Sequence, residues 1–225
     1  SYRMNTMVRE LQPEILINNR SKLPEDFGTP EERVQAEAAG RDWEACMTFN
    51  GSWGWQPAPP EDWRSVREVI AMLRTCTAGA GNLLLNIGPL PDGSVPNLAI
   101  ERLTAVGKWV EKYGPVMYGA VDRVENMENW LPTGRWTRRG KTLYFWCSRW
   151  PGSELALGGL TSKLVSARLY PEGQPLPFEQ TSNRLVVKGL PQDCPDPIAG
   201  VAIIEMQFKS APKQILGAGY VVLKK

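Results

Sequence analysis

The chain contains no histidine, which removes the commonest general base and the commonest metal ligand from its chemistry. It has no apolar stretch near the roughly 20 residues that span a bilayer, so no membrane partner is expected. No basic run stands out either. Its 26 lysines and arginines and 24 acidic residues are spread along the sequence for a formal charge of +2, which argues against nucleic acid or an anionic membrane surface as partner. The four cysteines, Cys46, Cys76, Cys147 and Cys194, lie far apart without a CxxC pair. That spacing argues against zinc ligation and against a disulfide framework, and each reads as a small buried apolar residue. The polar segment Ser1 to Glu10 does not read as a signal peptide.

What is present suits a globular chain. At 225 residues with 42% apolar and 22% charged content, it can build one large domain or two small ones with real cores. Nine tryptophans are the compositional excess. Most are expected in the core, but several sit in polar, loop-like surroundings. An indole beside carboxylates suits a sugar, because a pyranose presents an apolar C–H face to an aromatic ring.

The first half alternates helix and strand signals. Met4, Met7, Val8 and Leu11 form one apolar helix stripe that Pro13 ends, and Ile15-Leu16-Ile17 predicts a short strand leading into Asn18-Asn19-Arg20. Loop composition follows from Ser21 to about Gly40, then a strand from Glu44 to Phe49 and an aromatic loop from Gly51 to Trp55. After the rigid Pro57–Pro60 connector, Glu61 and Asp62 suit a helix start, and Trp63, Val66, Val69, Ile70, Leu73 and Cys76 mark one face of a helix that stops near Gly79. Asn82 to Ile87 is apolar on consecutive residues, as a buried parallel strand would be. Pro91-Asp92-Gly93 is a turn, and Ile100, Leu103, Val106 and Val110 predict a helix ending at Gly114. Alternation with short connections means parallel β/α architecture, about half of an eight-unit barrel.

From about Val121 the texture changes. Trp136 to Arg138, Thr142 to Cys147, Leu164 to Tyr170, Arg184 to Val187 and Ile198 to Phe208 read as strands between Gly/Pro turns, with no helical stripe between them. Their spacing predicts an antiparallel β-sandwich, with Tyr113 to Trp130 as the junction. Two domains are therefore expected: residues 1–120, half of a (β/α) barrel, and residues 121–225, a C-terminal β-sandwich.

In parallel β/α folds functional residues sit in the loops after the strands. Three residues of this kind stand out: Arg20 after the first strand, Trp53 after the second, and the carboxylate Glu31 on the long loop between them. An arginine can donate a fork of hydrogen bonds to sugar hydroxyls, a tryptophan can pack on an apolar face or a methyl, and a carboxylic acid can protonate a leaving oxygen. Each also has a plainer reading. Glu31 can be a solvated loop carboxylate, Arg20 half of a structural salt bridge, and Trp53 a core aromatic.

Five segments bear on that choice: Ile15-Leu16-Ile17-Asn18-Asn19-Arg20, Asp26-Phe27-Gly28-Thr29-Pro30-Glu31, Trp43-Glu44-Ala45-Cys46-Met47-Thr48, Ser52-Trp53-Gly54-Trp55 and Gly81 to Pro89. With Pro91-Asp92-Gly93, Glu101-Arg102-Leu103 and Gly107-Lys108-Trp109, they resemble the motifs of the α-L-fucosidase family in order and separation. The match is close over residues 5 to 120 and looser over the remainder. Any one motif is weak, whereas the ordered set is strong.

The resemblance implies a retaining glycosidase of terminal α-L-fucose acting on fucosylated glycans or aryl fucosides, with no cofactor and no metal. It implies that Arg20 contacts fucose, that Glu31 is the acid/base, with Glu32 beside it as a competing assignment, and that Trp53 packs on the fucose methyl. The family's aspartate nucleophile and fucose-contacting histidines are expected upstream of the first helix. The chain has no histidine and no aspartate before Asp26, so an incomplete active site is expected, with Glu25, Asp26 and Glu32 as possible substitutes. Half a barrel leaves strand edges and an apolar face open, which predicts a homo-oligomer. A non-catalytic fucose- or glycan-binding remnant, or a structural fragment of a longer fucosidase, is the alternative.

Overall fold

The computed structural model describes residues 1–38, 40–119, 121–122 and 133–215. Its first part begins with helix α1, Tyr2–Leu11. A short strand β1, Phe27–Gly28, and the longer β2, Asp42–Thr48, follow. Helix α2, Val66–Ala78, then leads to β3, Asn82–Asn86, and helix α3, Asn97–Tyr113, closes this part. The strands form a parallel sheet in the order β1-β2-β3, with Glu44 opposite Asn82 and Thr48 opposite Asn86.

Local chemistry accounts for the helix ends. Ser65 caps α2 through a capping box in which its side chain accepts from the Glu68 N–H and Glu68 accepts from the Ser65 N–H. The helix therefore starts at Val66 instead of at Glu61 and Asp62, which form a single 3₁₀ turn with Pro60. Trp63 lies before α2 but is buried in the same core.

Trp43, Ala45 and Met47 of β2 pack with Val69, Met72 and Cys76 of α2 and Ala99 and Val106 of α3. Trp43 organises this layer. Its Nε1 donates to the Gly79 carbonyl at 2.9 Å, and a methyl at Gly81 would lie 2.1 Å from its ring. Gly81 thus opens its motif because an indole occupies the space of a side chain.

Two expectations fail here. Ile15 to Ile17 is not a strand. Leu16 is exposed, and the backbone bends so that Ile17 accepts from the Asp26 N–H and donates to the Asp26 side chain. Nor is β3 a strand buried on both faces. Leu83 and Leu85 turn toward the helices while Leu84 is exposed, because α2 and α3 cover one face of the sheet. The stripe of α1 is also outward-facing: Met4, Met7 and Leu11 are exposed and the buried residue is Asn5.

The remaining strands are antiparallel. They are β4, Gly134–Arg139; β5, Thr142–Cys147; β6, Glu154–Gly158; β7, Leu164–Tyr170; β8, Phe178–Gln180; β9, Arg184–Lys188; and β10, Ala202–Phe208. One sheet has the order β4-β5-β10-β7 and the other β6-β9-β8. Both feed one core, with Phe145, Ile204 and Met206 from the first and Leu155, Leu157, Leu185 and Val187 from the second. Strands β6 and β8 escape the sequence pattern; β8 is only three residues long. Strand β10 starts at Ala202 instead of Ile198, since the Asp196 carboxylate accepts the N–H groups of Ala199 and Val201 and holds that stretch as a turn. The junction segment from Arg123 to Trp130 lies outside the described residues.

A third cluster joins the two parts. Ile70 of α2 and Trp109 and Tyr113 of α3 pack against Trp146, Val201 and Ile203. The Trp109 and Trp146 rings are 5.3 Å apart, and Trp109 Nε1 donates to the Val201 carbonyl at 2.9 Å. Most tryptophans are core as expected, and truncating one of them would cost about 3–5 kcal/mol. Trp53 and Trp55 are the exposed exceptions among the described residues.

Candidate active site

The loop between α1 and β2 is shaped by side chains bonding to backbone. Asn18 accepts from the Arg20 N–H at 3.0 Å and forms the turn that presents Arg20. Asn19 accepts from both the N–H and the hydroxyl of Thr29, at 3.2 and 2.8 Å. Two strands of one loop are thereby clipped together. Lys22, Glu25 and Glu32 take left-handed backbone angles that non-glycine residues rarely adopt. The contacts around them hold that conformation.

Arg20 and Glu31 meet in this loop. Arg20 Nη1 donates to Glu31 Oε2 at 2.6 Å, with both side chains nearly half exposed. Glu31 bridges Cys46 in the parallel direction, so the pair lies alongside the second half of β2. Cys46, on the central strand, is half-buried, and burial pushes its thiol pKa up.

Glu32 points elsewhere. Its Oε1 accepts from the Thr48 N–H at 2.6 Å, and its Oε2 lies 3.4 Å from Nη2 of Arg64. Arg64 Nε in turn donates to the Thr48 carbonyl at 2.7 Å. Glu32 is therefore a brace for the end of β2. Sequence reading left Glu31 and Glu32 in competition, and it missed Arg64 altogether.

Glu25 and Asp26 are equally committed. Arg9 of α1 reaches both at 2.9 Å. The Arg9 guanidinium, with the Asn5 amide, holds the Glu25 carboxyl below its ordinary pKa. The Ile17 N–H, with Arg9, does the same for Asp26. These contacts tie α1 to the loop that carries Arg20.

Trp53 stands on the loop after β2, 43% exposed. Asn86, the last residue of β3, donates from Nδ2 to the Trp53 carbonyl at 2.8 Å and accepts from the Phe49 N–H at 3.1 Å. A methyl at Gly88 would lie 2.5 Å from the Gly54 backbone and 2.6 Å from the Trp55 nitrogen. The Asn86 and Gly88 positions therefore lock the aromatic loop to the end of β3 by close backbone approach. The Trp53 indole makes no hydrogen bond or ring contact among the described residues. Arg20 and Glu31 are brought together, while Trp53 stands on the loop after β2, tied to Asn86 of β3. Among the described residues no three acidic, cysteine or histidine side chains gather as a metal-holding group, and no helix is long and apolar enough to cross a membrane.

The family model for alpha-L-fucosidase matches residues 2–115, just over half of the 225 residues. The chain belongs to the α-L-fucosidase family. Plasma alpha-L-fucosidase of Homo sapiens is 29% identical over 157 residues, covering 67% of this chain and 34% of that protein. An alpha-L-fucosidase of Branchiostoma floridae is 34% identical over 121 residues. Among solved structures, alpha-L-fucosidase isoenzyme 1 of Paenibacillus thiaminolyticus superposes with a TM-score of 0.77 at 28% identity, over 91% of this chain and 52% of that one. The Thermotoga maritima alpha-fucosidase in complex with fucose gives 0.74 at 27% identity, over 89% and 47%. This fucosidase-family chain thus spans about a quarter to a third of these two curated relatives and about half of the two solved ones.

Proposed function

We propose that this chain carries the acid/base side of an α-L-fucosidase site, in which Glu31 protonates the leaving oxygen of a terminal α-L-fucoside, Arg20 binds sugar hydroxyls and Trp53 packs on the fucose methyl. The observation that carries the reading is the 2.6 Å Arg20–Glu31 pair beside β2. A sugar hydroxyl that takes over the Arg20 donors releases Glu31 Oε2 toward the glycosidic oxygen. The two groups are thus already within reach of one small substrate.

Retaining hydrolysis needs a second carboxyl about 5–5.5 Å away as nucleophile. Glu25, Asp26 and Glu32 each serve other partners within the chain, which favours a nucleophile drawn from a second copy of the chain. We read residues 1–120 as part of a (β/α) barrel and residues 121–225 as a C-terminal β-sandwich. The parallel β2-α2-β3 unit and the core shared by the two antiparallel sheets favour that division. A homo-oligomer covering the face of Leu84 completes the proposal, and light scattering that finds only monomer at micromolar concentration would remove it.

The deciding experiment is hydrolysis of an aryl α-L-fucoside by the purified chain, alongside Glu31→Gln. The expected result is turnover in the parent, with Glu31→Gln losing about 10²–10⁴-fold on a substrate with a poor leaving group. Equal rates for both proteins would sink the role of Glu31.

A further inference from the structure

A groove opens where β7, the last strand of one antiparallel sheet, and β8, the last of the other, come together. It encloses about 380 Å³ and is lined by Thr161, Lys163, Leu164, Phe178, Gln180 and Thr181, none of them acidic. The sequence has no basic run, yet the fold gathers three lysines at this place. The Lys209 N–H donates to the Lys163 carbonyl at 2.9 Å, and the Lys213 carbonyl accepts from the Thr161 N–H at 3.1 Å. Lys163, Lys209 and Lys213 are all exposed. None of their ammonium groups has an ion pair or hydrogen bond among the described residues. The carboxylate of Glu179, on β8, is turned to Lys188 at 2.5 Å.

The walls of the groove are fixed in advance, which lowers the cost of binding. Gln180 Oε1 accepts from the Leu164 N–H at 2.8 Å, and its Nε2 donates to the carbonyls of Ser162 at 2.8 Å and Leu160 at 3.3 Å. One side chain of β8 thus ties down the opposite wall. The buried Ser162 hydroxyl donates to the Ala211 carbonyl at 3.0 Å and accepts from the Lys213 N–H at 3.1 Å, which holds the backbones of Lys163 and Lys213. Phe178 packs one side against the core and leaves the rest of its ring to the groove. The hydroxyls of Thr161 and Thr181 donate to the carbonyls of Lys213 and Arg184, at 3.4 and 3.3 Å. Their oxygen lone pairs remain as acceptors for a ligand's hydroxyls.

We propose that this groove binds a short stretch of acidic glycan, a sugar carrying a carboxylate or a sulfate. The Phe178 ring takes an apolar C–H face, and the threonine oxygens accept from sugar hydroxyls. The lysines supply the opposing charge as mobile point charges without the fixed fork of a guanidinium, so either anion is accommodated. The volume lies at the lower end of the roughly 300–1,000 Å³ of small-molecule pockets, which suits a short segment of a chain. Single-stranded nucleic acid fits less well, because its bases need aromatic faces to stack on and the groove offers part of one ring. The site is separate from the Arg20–Glu31 pair and does not rest on the hydrolytic reading.

Calorimetric titration of the full chain with trigalacturonic acid and with a sulfated heparin tetrasaccharide tests this, against sodium citrate at equal ionic strength. Saturable binding is expected for at least one acidic oligosaccharide and not for citrate. Lys163→Gln and Lys213→Gln should each weaken it about tenfold, and both positions are exposed, so the fold should survive. Lys108→Gln, on α3, and Arg20→Ala should leave this binding unchanged. Binding of trigalacturonic acid alone assigns the groove to carboxylates, and binding of the tetrasaccharide alone assigns it to sulfates. Failure of both to bind overturns the proposal, as does citrate binding equally well or an oligothymidylate binding more tightly. So does affinity unchanged in folded Lys163→Gln and Lys213→Gln.

Discussion

Glu31 Oε2 lies 2.6 Å from Nη1 of Arg20, eleven residues earlier in the chain. Its neighbour Glu32 turns to the Thr48 N–H instead. One left-handed backbone angle, at Glu32, separates a carboxylate paired with Arg20 from one that braces a strand.

That separation is testable by substitution. Glu31→Gln should leave the melting temperature nearly unchanged, because an exposed ion pair contributes only about 0–1 kcal/mol. Glu32→Ala leaves the Thr48 N–H without its acceptor and should cost about 1 kcal/mol, partly made up by solvent. Thermal denaturation of the two variants side by side checks the order, and a larger loss for Glu31→Gln would contradict it.

Arg20→Ala should abolish fucose affinity that calorimetry detects in the parent, while circular dichroism stays unchanged. Arg20→Lys should recover only part, since an ammonium cannot reproduce the planar fork. Retention of full affinity in Arg20→Ala would confine Arg20 to a structural salt bridge.

Acid should loosen the loop that carries Arg20. Glu25 and Asp26 have lowered pKa values in the folded state, so their stabilising effect is present above their unfolded values and lost as pH falls through the folded ones. The loss should begin below about pH 4. Arg9→Met should shrink this acid limb most through Glu25, whose largest cause is Arg9, and less through Asp26, which keeps the Ile17 N–H. Denaturant melts from pH 6 down to pH 3 would read the difference.

Gly81→Ala should destabilise the first part of the chain by about 1–3 kcal/mol, as overpacking against a buried ring does. Its Cβ would fall 2.1–2.4 Å from the Trp43 ring. Tryptophan fluorescence should change with it, and a neutral result would mean that the ring can move aside.

The sequence alone determined what short-range patterns encode. Helical periodicity placed α2 and α3, Gly79 and Gly114 marked where they stop, and Gly/Pro turns bounded β5 and β7 at the residues where the structure has them. The ordered motifs around Arg20, Glu31, Trp53 and Gly81 were enough to point to the family. Tertiary structure decided everything that depends on a distant partner. It dissolved the strand at Ile15 to Ile17, because the Asp26 carboxylate and N–H bind the Ile17 backbone. It left Leu84 exposed, because helices cover only one face of its sheet, and it buried Trp43 while leaving Trp53 in solvent. Above all it sent Glu31 to Arg20 and Glu32 to the Thr48 N–H. Two adjacent carboxylates are chemically the same in sequence and differ only in which donor the folded chain brings to each.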